Sequence, residues 1–429
     1  MSGSQDIDGR YEDGLVGVHG HVDGRFGPVR ECFTEVVDRQ AGTGAGFSAW
    51  CDGRLVADLW GGAADLGGRP WNAGSLVQPY SVSKPFVAVC ALRLVEAGGL
   101  DLDAPVQRYW PEFRAPATVR HILSHQAGVV ALDQPAPTEA FYNWDWLCAL
   151  LAAQEPSWEP GTAHGESALF YGHLVGELVR RVDGRGAGQF LREEICGPAG
   201  LDFAFGLSPS QQARAVDLTG LDDAFRASGT AGRPGLYRLA TTNPPGAQDS
   251  DVVNSAAWRA AEIPAINGHG TARAVAGFYH ALTSHRLLDP GMLDEAIGPQ
   301  CAGPDLVFGD DNAWGLGFGI SNDGYGMGGL GGSYGGTCTS GGYTIGFVTG
   351  SVGSFDRIDA LEAVLRDCLG LPRQTEVGLR CLGRASPPLP AGTGRQIAHQ
   401  ALFCFYTRPA IQDMGPPGRR PGAGTSTFG

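Results

Sequence analysis

Apolar residues recur along this chain with two different periods, and these periods predict its secondary structure. A 3.6-residue period over 28–42 predicts an amphipathic helix, and two alternating segments joined by a turn at 51–54 predict a β-hairpin. A denser apolar run over 84–99 predicts a buried helix that ends at a pair of glycines. From about 100 to 295 the helical period dominates, which indicates a mostly helical middle section.

The pattern changes again near residue 312, where glycine-rich segments with β-strand character replace the helices. A last amphipathic stretch at 359–370 predicts a closing helix. Strands near both ends of the chain, with helices between them, predict an α+β fold that contains a helical insertion.

The same pattern predicts the domain limits. Residues 16–95 and 300–370 are assigned to an α/β domain, and residues 96–299 to a helical domain. We expect a flexible N-terminus at 1–15. We also expect a largely disordered C-terminal tail at 371–429, because that segment is rich in proline, glycine and arginine.

Composition excludes several classes of function. A net charge of -14 over 429 residues argues against nucleic acid or an anionic membrane surface as the main partner. No apolar run approaches the ~20 residues of a membrane span, and the polar, acidic N-terminus predicts no signal peptide. The ten cysteines form no metal-type cluster. We therefore expect a reduced, cytoplasmic protein that needs no metal and no cofactor.

The strongest candidate chemistry is the Ser-x-x-Lys spacing of Ser81 and Lys84. Lys84 is the only lysine, which leaves 30 of the 31 basic residues as arginines. Residues three apart share a helix face, and Pro85 suits only a first helical turn, so the pair is predicted to meet at a helix N-terminus. The helix dipole and burial both lower a lysine pKa. A neutral Lys84 can accept the Ser81 proton, whereas an arginine stays protonated.

A rival nucleophile is Ser333, which stands in a literal Gly-x-Ser-x-Gly segment. A nucleophile elbow needs a helix after the serine, and the glycine-rich residues that follow cannot start one. The same glycines match the Gly-x-Gly-x-x-Gly pattern of dinucleotide sites at Gly326, Gly328 and Gly331, without the βαβ context that such a site requires. Ser81 is therefore the preferred candidate.

Several segments, in order, resemble one protein family. They read SLVQPYSVSK, VRHILSHQAGV, WEPGTAHG, LFYGHLVGELVRRVDGR and WGLGFGI. Together they resemble the serine β-lactamase-like superfamily, in the class C branch with penicillin-binding-protein-like esterases and acyltransferases. The resemblance covers roughly 28–370. It implies an antiparallel sheet flanked by helices and built from both chain ends, an inserted all-helical domain, and an active site in the cleft between them.

By this resemblance Ser81 is the acylated nucleophile and Lys84 is its base. The tyrosine of the family's second motif falls at Glu166, and the motif's third position falls at Ala168. Our hypothesis is that Glu166 replaces the tyrosine as the proton shuttle, because a carboxylate in a cleft can carry a proton if its pKa suits. The alternative is that Glu166 is a surface or salt-bridging residue.

The family's third motif falls at Met327, Gly328 and Gly329, so that a methionine stands where the family has a polar or aromatic residue. The resemblance implies that the N–H of the next residue, Leu330, pairs with the N–H of Ser81 as an oxyanion hole. These four residues are the predicted substrate-binding set. Met327 offers no charge for a substrate carboxylate, which favours a neutral ester, amide or thioester.

Three functions follow from the sequence. The first is a carboxylesterase-type acyl hydrolase that works through an acyl-Ser81 intermediate. The second is a transacylase that moves the acyl group to an amine or alcohol. The third is a degenerate binding protein without catalysis, against which the retention of both Ser81 and Lys84 argues. In each case the partner is a small molecule, and the sequence does not set the oligomeric state.

Overall fold

The computed structural model of the chain describes residues 17–40, 42–230 and 232–373. The predicted flexible N-terminus at 1–15 lies outside the described residues, and so does the predicted tail beyond residue 373. Within the described ranges, no helix is both long enough and apolar enough to cross a membrane.

The described residues alternate between strands near the two chain ends and helices between them. The strands are β1 Val18–Val22, β2 Ala45–Cys51, β3 Arg54–Gly61, β4 Phe203–Ala204, β5 His269–Gly270, β6 Cys301–Pro304, β7 Asp311–Trp314, β8 Gly319–Ser321, β9 Gly324–Gly328, β10 Tyr334–Cys338 and β11 Tyr343–Thr349.

The longer α-helices each bury several apolar residues. The α-helices are α1 Gly27–Asp38, α2 Lys84–Glu96, α3 Val119–Leu123, α4 Trp144–Ala152, α5 Tyr171–Asp183, α6 Ala187–Phe190, α7 Gly197–Ala199, α8 Pro209–Gln212, α9 Asp223–Thr230, α10 Gly235–Thr242, α11 Ser250–Val253, α12 Ala256–Ala260, α13 Ala272–Thr283, α14 Pro290–Ile297 and α15 Asp356–Leu369. A π-helical stretch, Leu191–Cys196, joins α6 to α7.

Nine strands form one antiparallel sheet in the order β1-β3-β2-β11-β10-β9-β8-β7-β6. The N-terminal strands meet the C-terminal strands where β2 pairs with β11, with Phe47 opposite Phe347. The two chain ends therefore build one sheet, and the predicted α+β class is confirmed. The predicted hairpin is β2–β3, which closes with Cys51 opposite Arg54.

Helices cover both faces of this sheet. Because successive side chains of a strand point to opposite faces, Ile345 and Phe347 of β11 face α1 and α15, with which they share one apolar cluster. Gly346 faces the other way, where α13 comes so close that a Cβ atom would lie 2.5 Å from the carbonyl oxygen of Ala272. The sheet is thus the middle layer between two helical layers.

Two features differ from the sequence-based prediction. Helix α13 lies inside the segment 96–299 that was assigned to the helical domain, yet it packs on the sheet. The insertion is also not entirely helical, because β4 and β5 pair as a two-stranded ribbon. Periodicity identifies an amphipathic helix but not the surface it will cover, and two-residue strands carry no readable period. The predicted domain limits otherwise stay predictions.

We expect Phe33→Ala to destabilise the layer formed by α1. Phe33 is fully buried in the cluster that joins α1 and α15 to the sheet, so its removal leaves a cavity that costs about 3–5 kcal/mol of unfolding free energy. Urea unfolding measures this loss. The control is Arg39→Ala, which removes an exposed i,i+4 ion pair with Glu35 and should cost less than about 1 kcal/mol. Equal losses in the two variants would contradict the packing role of Phe33.

Candidate active site

Ser81 lies in a tight 3₁₀ turn, Tyr80–Ser83, that leads directly into α2. Tyr80 has a φ of +50°, a left-handed conformation that is strained for an aromatic residue. Its buried side chain compensates by donating a hydrogen bond to the carbonyl oxygen of Ala247 at 3.1 Å. Pro85 falls within the first turn of α2, where its missing N–H costs nothing. The turn therefore holds Ser81 at the start of a buried helix.

Lys84 is fully buried directly beneath Ser81. Its Nζ lies 2.7 Å from Ser81 Oγ. The amine also donates to the carbonyl oxygens of Ala168 at 3.1 Å and Ala265 at 3.4 Å. These acceptors fix the amine within proton-transfer distance of the serine hydroxyl.

Glu166 is the third member of this cluster. Its side chain is 1% exposed, and its Oε1 lies 2.9 Å from Lys84 Nζ and 3.5 Å from Ser81 Oγ. It is therefore not a surface residue. Its second oxygen, Oε2, is buried and has no hydrogen-bond partner in the described part of the chain. The structure thus brings the hydroxyl, the amine and the carboxyl group into mutual contact.

Burial shifts the pKa values of the two ionisable groups toward each other. It lowers the pKa of Lys84 and raises the pKa of Glu166, because a low-dielectric interior penalises both charges. The attraction between the two side chains opposes each shift. Burial thus disfavours the charged form of each group, and the contact between the two groups favours it.

The predicted oxyanion-hole segment follows β9 and approaches the Ser81 turn closely. A Cβ atom at Gly329 would lie 1.9 Å from the carbonyl oxygen of Pro79, so only glycine fits there. The Leu330 N–H forms no hydrogen bond to another described backbone group, and Leu330 lines the same cavity as Ser81. Met327 and Gly328 lie in β9 and do not line that cavity; Met327 is 2% exposed.

Ser81 lines an open cavity, whose empty space is about 420 Å³ when the part open to solvent is included. Its walls include Leu169, Ile266, Phe308 and Leu330, and none of the described residues that line it carries a charge. A neutral, largely apolar group fits such walls better than a charged one, because nothing there would replace the hydration of a charge.

The other sequence candidates lie elsewhere. Ser333 is buried, and its Oγ accepts a hydrogen bond from the Thr349 N–H at 3.3 Å. Its glycine-rich segment connects β9 to β10 and is followed by a strand rather than a helix.

Two residues near the cluster carried no sequence signal. In the sequence, Tyr80 differs from other tyrosines only because it precedes Ser81. Its backbone strain is visible only in the structure. Asp305 accepts a hydrogen bond from the Glu166 N–H across 139 positions of sequence, a separation at which no spacing rule applies.

A serine hydroxyl held against a buried amine in the wall of a cavity, on this α+β fold, defines a protein of the serine hydrolase class. The profile of the beta-lactamase family matches residues 29–367, and the chain belongs to that family. The resemblance inferred from the sequence is thereby confirmed.

Named relatives and solved structures agree with this assignment. Esterase/beta-lactamase LipL of Mycobacterium tuberculosis is 32% identical over 290 residues, which make up 63% of this chain and 66% of LipL. The chain thus spans about two thirds of the length of that relative. A family VIII carboxylesterase structure is 32% identical, with a TM-score of 0.74 over 82% of this chain and 100% of that one. A penicillin-binding-protein homologue from Caulobacter crescentus is also 32% identical, with a TM-score of 0.73 over 82% of this chain and 100% of that one.

We expect Gly329→Ala to lower the reactivity of Ser81, although the substituted residue is not Ser81 itself. The added methyl group would collide with the Pro79 carbonyl at the start of the Ser81 turn, so the turn or the Leu330 segment must move by about 1 Å, which costs on the order of 100-fold in rate. The labelling rate of Ser81 by a fluorophosphonate measures this loss.

The matched control is Gly291→Ala in α14, where a Cβ atom would meet open space. It should label at the wild-type rate and be equally stable or slightly more so. Wild-type labelling in Gly329→Ala would contradict the close approach.

Proposed function

We propose that this protein is a serine-dependent acyl hydrolase of the carboxylesterase type. It acts on neutral esters through an acyl-Ser81 intermediate, with Lys84 as the base. The observation that carries the proposal is the 2.7 Å contact between Ser81 Oγ and the buried Lys84 Nζ, in the wall of a cavity whose described lining residues carry no charge. The esterase names of LipL and of the carboxylesterase structure support the same reaction class.

Acylation starts from the form of the pair that carries one proton, placed on Glu166. Neutral Lys84 takes the hydroxyl proton while Ser81 Oγ attacks the ester carbonyl carbon. The carbonyl oxygen becomes an oxyanion, which the N–H groups of Ser81 and Leu330 stabilise. When the ester C–O bond breaks, the departing alkoxide takes the proton of Glu166. Lys84 and Glu166 are then an ion pair that still carries one proton in total.

Deacylation repeats these steps with water. The proton passes from Lys84 to Glu166 across their 2.9 Å contact, so that Lys84 is neutral again. It takes a proton from the water that attacks the acyl carbon. Ser81 Oγ leaves with the proton of Glu166, whose Oε1 lies 3.5 Å away. The free enzyme is restored with one proton on the pair.

The uncharged walls of the cavity favour a substrate without charge. Met327 is buried in β9, and no described residue that lines the cavity carries a charge. An acyl group with a free carboxylate would therefore lose hydration without gaining a cation. This favours neutral esters over the anionic substrates of peptidases and β-lactamases.

A transacylase would use the same acyl-enzyme and differ only in the acceptor. The largely apolar cavity walls favour this second candidate, because an acceptor alcohol or amine with an apolar body can pack against them, whereas water cannot. Adding amines or alcohols to the ester assay separates the two functions: acyl transfer that grows at the expense of hydrolysis identifies the transacylase. A binding protein without catalysis is disfavoured by the close contact between Ser81 and Lys84.

We expect a fluorophosphonate or a p-nitrophenyl ester to modify Ser81, because Lys84 activates its hydroxyl. Intact mass should show one adduct on the wild type and none on Ser81→Ala. Ser333→Ala is the matched control and should label like the wild type, because the buried Ser333 hydroxyl is bonded to the Thr349 N–H and contacts no basic side chain among the described residues. Absence of any adduct on the wild type across several probes would refute the acyl-enzyme and leave the binding protein.

We expect Glu166→Gln to lower kcat/KM for a p-nitrophenyl ester by about 10²–10⁴-fold, the usual contribution of general acid–base catalysis. Gln keeps the shape of the side chain but cannot give or take the proton. Glu177→Gln is the control, because Glu177 is an equally buried carboxylate that pairs with Arg180 and Arg181 outside the site. Unchanged turnover in Glu166→Gln would dismiss the shuttle role.

We expect a bell-shaped pH profile of kcat/KM for the wild type. The active form carries one proton on the pair, so activity falls when the pair gains a second proton or loses its last one. Because burial raises the pKa of Glu166, the acid limb should lie above its ordinary value of 4.5. Because burial lowers the pKa of Lys84, the basic limb should lie below 10.5. A profile that keeps rising up to pH 10.5 would contradict this assignment.

A further inference from the structure

Asp305 is a buried carboxylate that stands next to the proposed machinery without being part of it. The residue is 1% exposed. In the described part of the chain it is held by four N–H donors rather than by a cation. A carboxylate that is so deeply buried needs hydrogen-bond donors to be stable. The residues that supply these donors are the ones that Asp305 holds in place.

The two oxygens of Asp305 hold two different parts of the site. Oδ2 accepts from the backbone N–H of Glu166 and from Asn312 Nδ2, both at 2.9 Å. Oδ1 accepts from the N–H groups of Val307 and Phe308, both at 2.8 Å. One carboxylate therefore connects the segment of the proton shuttle with Phe308, a wall of the substrate cavity.

Further contacts hold the segment that contains Glu166 against the segment that contains Val307 and Phe308. The Leu306 N–H donates to the carbonyl oxygen of His164 at 3.0 Å, and His164 Nε2 donates to Asn312 Oδ1 at 2.8 Å. A Cβ atom at Gly165 would lie 2.9 Å from Val307 Cγ2, so the segments touch just before Glu166. His125 holds the two neighbouring residues, since it accepts from the Gly165 N–H at 3.1 Å and from the Ser167 N–H at 3.2 Å. The N–H of Glu166 itself is held by Asp305.

We propose that Asp305 is a positioning residue, which fixes the Glu166 peptide and so aims the Glu166 side chain at Lys84 and Ser81; this inference rests on the proposed function. The side chain itself has few constraints, since its Oε2 has no partner in the described ranges. Its direction is therefore set by the ion pair with Lys84 and by the peptide that Asp305 holds. Asp305 does not line the cavity and acts only through Glu166 and Phe308.

The charge of Asp305 adds to this geometric role. After burial itself, Lys84 lowers the pKa of Glu166 and Asp305 raises it. The neighbouring His125 adds no charge, because burial and Lys84 hold its pKa well below the ordinary value. Asp305 therefore favours the protonated Glu166 that gives its proton to the leaving group.

The test is Asp305→Asn, which keeps the shape of the side chain and removes its charge. A carboxamide has one acceptor oxygen, and its NH₂ group faces two of the four N–H donors. Two of the four hydrogen bonds are therefore lost. We expect kcat to fall about 10–100-fold, as for a misplaced catalytic group, with a smaller change in KM. Without the negative charge, the pair takes its second proton less readily, so the acid limb of the pH profile should move to lower pH.

Glu177→Gln is the control for a structural effect. It also removes a buried carboxylate, so we expect it to unfold at a lower temperature, but its pH profile should match the wild type. An Asp305→Asn enzyme with the wild-type kcat and acid limb would overturn the inference while leaving the proposed function intact. A wild type that neither turns over esters nor labels at Ser81 would refute the proposed function and, with it, this inference.

If Asp305→Asn does not fold, as judged by its thermal melt, Asn312→Ala decides the question. It removes one donor to Asp305 and the contact to His164, yet leaves the charge and the Glu166 N–H contact in place. We expect kcat to fall about threefold to tenfold, an effect weaker than losing the carboxylate, with KM unchanged and the acid limb unmoved. A wild-type kcat in Asn312→Ala would then overturn the inference.

Discussion

The Lys84 amine, buried without solvent exposure, is the constraint around which the rest of the site is arranged. Four oxygen atoms surround it, from Ser81, Ala168, Ala265 and Glu166. They come from three separate stretches of the chain, so the amine can be buried only if all of these stretches fold against α2. Removing one partner of such a buried pair costs about 3–5 kcal/mol, which makes the contact both a structural and a chemical requirement.

The layers of the fold place the segment after β9 next to the Ser81 turn. The sheet lies between α1 and α15 on one face and α13 on the other, which makes it a rigid base for β9 and the segment after it. That segment can reach the Ser81 turn only because Gly329 has no side chain. Tyr80 accepts a strained backbone at the same place. A glycine at 329 and the left-handed backbone of Tyr80 thus allow Ser81 and the segment at Leu330, the proposed nucleophile and oxyanion-hole segment, to lie close together.

By the resemblance inferred from the sequence, the proposed site departs from the family pattern at two positions, which handle protons and substrate charge in the proposed mechanism. Glu166, which the resemblance places at the position of the family's tyrosine, contacts Lys84 directly at 2.9 Å. A buried methionine replaces the polar or aromatic head of the third motif. Both changes point the same way, toward acid–base chemistry supported by a buried carboxyl group and toward substrates without charge. The similarity to proteins named as esterases is consistent with this direction.

The sequence by itself determined the features that depend on short separations. Ser81 and Lys84 are three residues apart before Pro85, so helix geometry alone places them in contact, and alternation around one turn defined the β2–β3 hairpin. Glu166 could be named only from the order of family segments, and its burial beside Lys84 appeared only in the structure. The packing of α13, the β4–β5 ribbon and the Asp305 clamp were decided by tertiary structure. Contacts over 139 positions depend on how layers stack, and periodicity reports which face of an element is apolar but not what will cover it.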